Sequence, residues 1–199
     1  LEATFFFNFE KDDKTQIFFL PIAGVNYHDN FQLGMAAYNS LIKEKKFRFL
    51  VMPQFSFGTQ KLVGFGQAVY SFYPAEYFQK VNVNLSVRRQ GLGFGGAIGK
   101  IQKIEASTNF ILQRPNDRSK IRSSFEAKLS NVLVEFDRRG SKLKNYITFD
   151  YNIENKRAIN PFDFNSQLQA FDQNWKLQGE FNYSLTVNNR LQSIDIRGF

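Results

Sequence analysis

Residues 175–187 read WKLQGEFNYSLTV. Trp175, Leu177, Gly179, Phe181, Tyr183, Leu185 and Val187 are apolar or glycine, and Lys176, Gln178, Glu180, Asn182, Ser184 and Thr186 between them are polar. A strand sends alternate side chains to opposite faces, so this segment has one greasy face and one wet face. The medium that the greasy face meets, protein core or lipid, decides the fold.

The same period of two runs outward through most of the chain. It predicts strands over 1–10 (Phe5, Phe7 and Phe9 on one face), 16–26, 31–40, 47–58 and 63–73. Beyond them the alternation sharpens. Residues 78–88 set Val81, Val83, Leu85 and Val87 against Lys80, Asn82, Asn84, Ser86 and Arg88. Residues 101–113 set Ile104, Phe110 and Leu112 against Lys103, Glu105 and Asn109. Residues 120–135 carry Arg122, Ser124, Glu126, Lys128 and Ser130 on the polar side, and residues 144–154 carry Thr148, Asp150, Asn152 and Glu154. Segments 162–171 and 191–199 flank the opening stretch. The reading is all-β, with about twelve strands and no helix. Connections such as YHDN, YPAEY and DQN are short, which predicts an antiparallel up-and-down meander. With no linker or low-complexity tract, residues 1–199 read as a single segment.

Composition removes several function classes. The 199 residues include 24 Phe, 8 Tyr and 1 Trp, but no Cys, so disulfides and thiolate metal sites are excluded. His28 is the single histidine, so no multi-histidine metal site can form within the chain. No apolar run approaches the ~18–20 residues of a membrane helix, which leaves a membrane β-barrel open. The formal charge of +8 sits largely in KEKK (43–46), RR (88–89), RSK (118–120) and RRGSKLK (138–144). Such runs read as solvated hairpin ends rather than a nucleic-acid surface. The chain opens mid-pattern at LEATFFFNFE and stops at SIDIRGF, as expected of a segment cut from a longer protein.

Alternation also suits a soluble sandwich, which stays the alternative. Three features favour lipid. Many strands reach the ~9–11 residues that cross a tilted bilayer path. The polar faces mix acids and bases, as an enclosed aqueous interior would. Tyr73, Tyr77, Phe78, Tyr146, Phe162 and Trp175 stand near strand ends, as in an interfacial aromatic girdle. A sheet in hydrocarbon cannot leave an edge unpaired, so the intact protein would have to close.

The remaining motifs read as structure. Gly91-Leu92-Gly93-Phe94-Gly95-Gly96 fits G-x-G-x-x-G, but strand period resumes after it instead of a helix, so a glycine-rich hairpin loop is expected rather than a dinucleotide site. His28 falls in a Tyr27-His28-Asp29-Asn30 turn. Glu105, Glu126, Asp150, Glu154 and Glu180 each have a basic residue close in sequence or across a strand, which points to ion pairing before acid–base catalysis. No catalytic, cofactor or metal site is read from the sequence.

Taken together, 21–39 (PIAGVNYHDNFQLGMAAYN), 61–74 (KLVGFGQAVYSFYP), 103–128 and 160–199 resemble a known region. It is the C-terminal membrane barrel that follows the peptidase domain in Gram-negative gluzincin aminopeptidase-like proteins. That region is similar to the surface-antigen barrels of the BamA/TamA superfamily. The resemblance implies a transmembrane β-barrel of about sixteen strands, entered near residue 16, with its last strands missing here and 1–10 as an extra strand. It implies a bacterial outer-membrane location, lipid as partner, and an upstream domain or other barrel proteins as further partners. Insertion or translocation of other barrel proteins, and a passive pore, are the alternatives to an anchoring role. Ile196-Arg197-Gly198-Phe199 resembles the family's Val/Ile-Arg-Gly-Phe/Tyr motif, carried on a loop folded into the lumen. On that plan Asn188-Asn189 is a tight periplasmic turn, and Arg48, Lys80, Arg88, Lys103, Glu105, Arg122, Glu126, Lys128, Asp150, Lys176 and Glu180 face the lumen. The paired histidines of a zinc-helix HExxH cannot occur here, so any peptidase activity of the parent belongs to residues outside this chain.

Overall fold

The computed structural model describes residues 2–5, 16–40, 43–74, 76–94, 97–116, 118–136, 140–186 and 193–198. They form β1 (Glu2–Phe5), β2 (Gln16–Asn26), β3 (Asn30–Tyr38), β4 (Phe47–Ser56), β5 (Lys61–Phe72) and β6 (Phe78–Phe94). Then come β7 (Ala97–Leu112), β8 (Ile121–Phe136), β9 (Gly140–Asn155), β10 (Phe162–Phe171), β11 (Asn174–Thr186) and β12 (Ser193–Gly198). The strands stand in one sheet in chain order, antiparallel and up-and-down from β2 to β12, and the described residues contain no helix. β1 and β12 end that order, and the sheet is not closed as a barrel.

Three sequence expectations change. β1 pairs parallel to β2, with Glu2 opposite Gln16 and Phe5 opposite Phe19, so the meander begins at β2. Phe7 and Phe9 lie outside the described residues. β6 runs through Gly91 to Phe94, so most of the expected glycine loop is strand; Gly95 and Gly96 lie outside the described residues. β9 starts at Gly140, which turns most of the basic RRGSKLK run into strand. Charge and glycine content marked these segments as turns, whereas ladder hydrogen bonding is indifferent to side chains that have room.

The chain divides into two compact units: Leu1–Ser71, Asn84–Ala106 and Ser130–Asn145; and Phe72–Val83, Ser107–Leu129 and Tyr146–Phe199. In the first, β2 and β3 pair from Phe18↔Tyr38 to Asn26↔Asn30, and β4 and β5 from Phe47↔Tyr70 to Ser56↔Lys61. The face with Phe31, Leu33, Met35, Phe47, Val51 and Phe55 is exposed. The opposite face is enclosed: Gln32, Ala36, Tyr38, Ser56 and Val63 are buried, and Phe18 stacks on Tyr38 at 5.2 Å. At Gly64 the backbone takes a φ of +141°, and an added Cβ would stand 2.1 Å from the Met52 carbonyl oxygen, so no side chain fits there.

In the second unit, β10 and β11 pair from Phe162↔Tyr183 to Phe171↔Asn174. Trp175, Leu177, Phe181 and Leu168 are exposed on one face. On that face Phe78, Phe110, Phe125 and Phe149 form a row with successive ring centroids 5.2, 6.0 and 6.1 Å apart. The other face carries Gln167 bonded to Asp150 (2.7 Å) and Asn182 bonded to Asp163 (2.9 Å). Tyr146 pairs with Phe171 on this polar side, so it does not belong to an outward girdle.

Candidate functional site

Sheet pleat places the polar side chains, and the register then brings acids and bases together. In the first unit Lys103 pairs with Glu105, and Ser130 donates to the same carboxylate at 3.0 Å. Arg48 lies opposite Val69, and its Nε is buried without a hydrogen-bond partner among the described residues. Arg88 makes no ion pair there.

In the second unit Lys128 lies 3.7 Å from Glu126 and 4.0 Å from Asp150, forming a small network. Arg122 and Lys176 are exposed and make no ion pair among the described residues. The Lys80 ammonium stands 5.8 Å from the Tyr73 ring centroid. Ile196, Arg197 and Gly198 are in β12, in register with β11, rather than on a loop. Ile196 is exposed among the apolar side chains, whereas the Arg197 guanidinium bonds Glu180 at 2.6 and 3.0 Å. Arg197 therefore bonds Glu180 from a strand: six residues alternate well enough to extend the sheet, and β11 supplies the ladder. Phe199 and the Asn188-Asn189 turn lie outside the described residues.

Sequence reasoning passed over the most tightly built cluster. Asp29, read as a turn residue, is fully buried. Asn26 shapes the turn, its Oδ1 accepting the amides of His28 (2.9 Å) and Asp29 (2.6 Å). The Asp29 carboxylate then accepts from Asn26 Nδ2 (2.9 Å), Thr59 Oγ1 (3.1 Å) and the Gly91 amide (2.8 Å). Its carbonyl accepts from Ser56 Oγ (2.8 Å) and the Gly58 amide (3.1 Å). One residue thus ties together the β2–β3 turn, the β4–β5 turn and β6. Burial pushes its carboxyl up, but the bonds from Asn26, Gly91 and Thr59 outweigh this and hold it below the ordinary value. Gly91 is required here, since an added Cβ would stand 2.5 Å from Asp29 Oδ1. The Asn26–Asp29 spacing signals the turn, but the partners 30 and 62 residues away have no local signature.

The chemistry available is ionic and amide recognition. No group of three or more His, Cys, Asp or Glu able to hold a metal occurs among the described residues. Comparison with protein-family models, curated proteins and solved structures finds no significant match for this chain.

Proposed function

We propose that this chain is part of a transmembrane β-barrel of the bacterial outer membrane. Its role is to anchor a larger peptidase-like or surface-antigen protein whose chemistry lies outside these residues. The observation that carries the reading is an inverted distribution of polarity. Among the described residues thirty large hydrophobic side chains are exposed, while the buried set holds five hydrophobic and eleven polar residues. A side chain left about half in water forgoes about 1 kcal/mol of burial. Thirty of them forgo on the order of 30 kcal/mol, several times the ~5–15 kcal/mol that keeps a domain folded. Lipid removes that deficit.

Strand anatomy supports the same medium. Along β8 the apolar-side positions are Ile121, Ser123, Phe125, Ala127 and Leu129; polarity then rises at Asn131 and Glu135, interrupted by Leu133. Along β7 they run from Leu112 back to Ile104, then Gln102 and Lys100. Beyond the apolar run Lys100 pairs with Glu135 at 2.6 Å and Asn131 with Asn145 at 2.7 Å. About nine residues, eight steps of ~3.4 Å, give ~27 Å along the strand, or ~21 Å along the normal at a tilt of about 40°, close to the ~25 Å apolar band of outer-membrane barrels. Because hydrocarbon tolerates no free edge, the reading requires further strands between the edges of this sheet.

A passive pore is the second reading, favoured by Arg48, Arg88, Arg122 and Lys176, which have no acidic partner among the described residues, where the acids of the row are paired. Insertase-like handling of barrel proteins gains less, because Ile196-Arg197-Gly198 is strand. Lipid contact can be read directly. In a Trp175→Phe background, single tryptophans at Leu129 and Lys128 are reconstituted with lipids brominated on their acyl chains. Quenching at 129 and not at 128 is expected. Equal quenching at both, or a monomeric folded chain in detergent-free buffer, overturns the proposal.

A further inference from the structure

A cavity of about 380 Å³ lies in the first unit. Ile22, Met52, Val63 and Phe65 give it an apolar lining; Gln32, Gln54 and Gln90 bring amides, and Arg88 and Arg89 stand beside them. Gln32 is only 7% exposed, yet its side chain has no hydrogen-bond partner among the described residues. The side chains of Gln54, Gln90 and Arg88 have none either. The amides of Gln32 and Gln54 converge over Gly24, where an added Cβ would stand 3.7 Å from Gln32 Oε1 and 3.6 Å from Gln54 Nε2. Buried polar groups are almost always satisfied, so the buried Gln32 side chain, idle beside the half-buried amides of Gln54 and Gln90 around an open volume, marks a place where something else satisfies it. The Asp29–Gly91 bond (2.8 Å) fixes the neighbouring Arg88–Gln90 stretch against this cavity.

The lining defines the ligand. A glutamine amide offers a donor and an acceptor side by side, which matches adjacent hydroxyls, each able to accept and to donate. A guanidinium selects a carboxylate. Among the described residues no Asp or Glu lines the cavity to repel an anion, and Phe65 gives an apolar ring face. The volume falls in the range of small-molecule sites. We propose that this cavity binds a small hydroxylated carboxylate of the sugar-acid class. The inference needs only the first unit and holds whether or not the exposed face meets lipid.

Calorimetric titration of the 199-residue chain in detergent tests it, with glucuronate, glucose and acetate as probes. Glucuronate is expected to bind near ~1 mM, and glucose and acetate at least tenfold more weakly. Gln32→Leu should weaken glucuronate more than tenfold; Gln54→Leu, at a less buried position, is read the same way if the first variant misfolds. The double variant Arg88→Gln/Arg89→Gln should abolish the preference for glucuronate over glucose. No heat from glucuronate up to ~50 mM overturns the site. Acetate binding as tightly as glucuronate overturns the sugar-acid assignment, and unchanged affinity in a folded glutamine variant overturns the placement.

Discussion

Replacing Phe125 with arginine tests the central claim most sharply. Phe125 sits at the middle of the apolar run on β8, its ring 6.0 Å from Phe110 and 6.1 Å from Phe149. Removing it loses two aromatic contacts, each contributing about 0.5–1.5 kcal/mol. An arginine facing lipid near the bilayer midplane costs a further ~2–4 kcal/mol. The sum is about 3–7 kcal/mol, a shift of at least a hundredfold in the folding equilibrium. Ser124, one residue back, points to the polar face, where an arginine joins Glu126 and Asp150 and should change stability by no more than ~1 kcal/mol. The assay is reversible urea unfolding in thin phosphatidylcholine vesicles, followed by Trp175 fluorescence. Phe125→Arg should lower the midpoint strongly at unchanged slope, and Ser124→Arg should leave it in place. If Phe125→Arg folds as well as the parent while Ser124→Arg unfolds, the face assignment is inverted and the membrane reading fails with it.

Other consequences concern the turn cluster and the charges. Asp29 has a folded pKa below its unfolded value of ~3.9, so its contribution is present above that value and is lost as pH falls through the folded pKa. Acid titration of stability should therefore be steeper below about pH 4 in the parent than in Asp29→Asn; parallel curves would refute the assignment. Gly91→Val places carbon where the Asp29 carboxylate sits and should cost about 2–4 kcal/mol, whereas Gly66→Ala, with nothing within 4 Å of an added Cβ, should cost under ~1 kcal/mol. Both are read from unfolding midpoints. If the closed protein conducts, Arg48, Arg88, Arg122 and Lys176, which have no acidic partner among the described residues, should give a reversal potential favouring chloride over potassium, weakened by Arg48→Gln and Arg122→Gln together; cation selectivity would contradict the placement of that row.

Much of this was legible in the chain itself. Strict alternation in 175–187 and 120–130, with short turns between, fixes strands, antiparallel order and the sorting of side chains onto two faces, because the pleat has a period of two residues whatever surrounds it. Periodicity is blind to partners distant in sequence. It could not show that Asp29 reaches Thr59 and Gly91, that β1 runs parallel to β2, or that Gln32 and Gln54 converge over Gly24. Nor could it say which of two alternating faces is enclosed, since a core and a membrane ask for the same pattern of residues. Only the tertiary structure decided that, by burying Ser56, Thr148 and Gln32 and leaving Leu33, Phe55 and Leu177 uncovered. What a face meets is set by the pairing of many strands, which no single stretch of sequence contains.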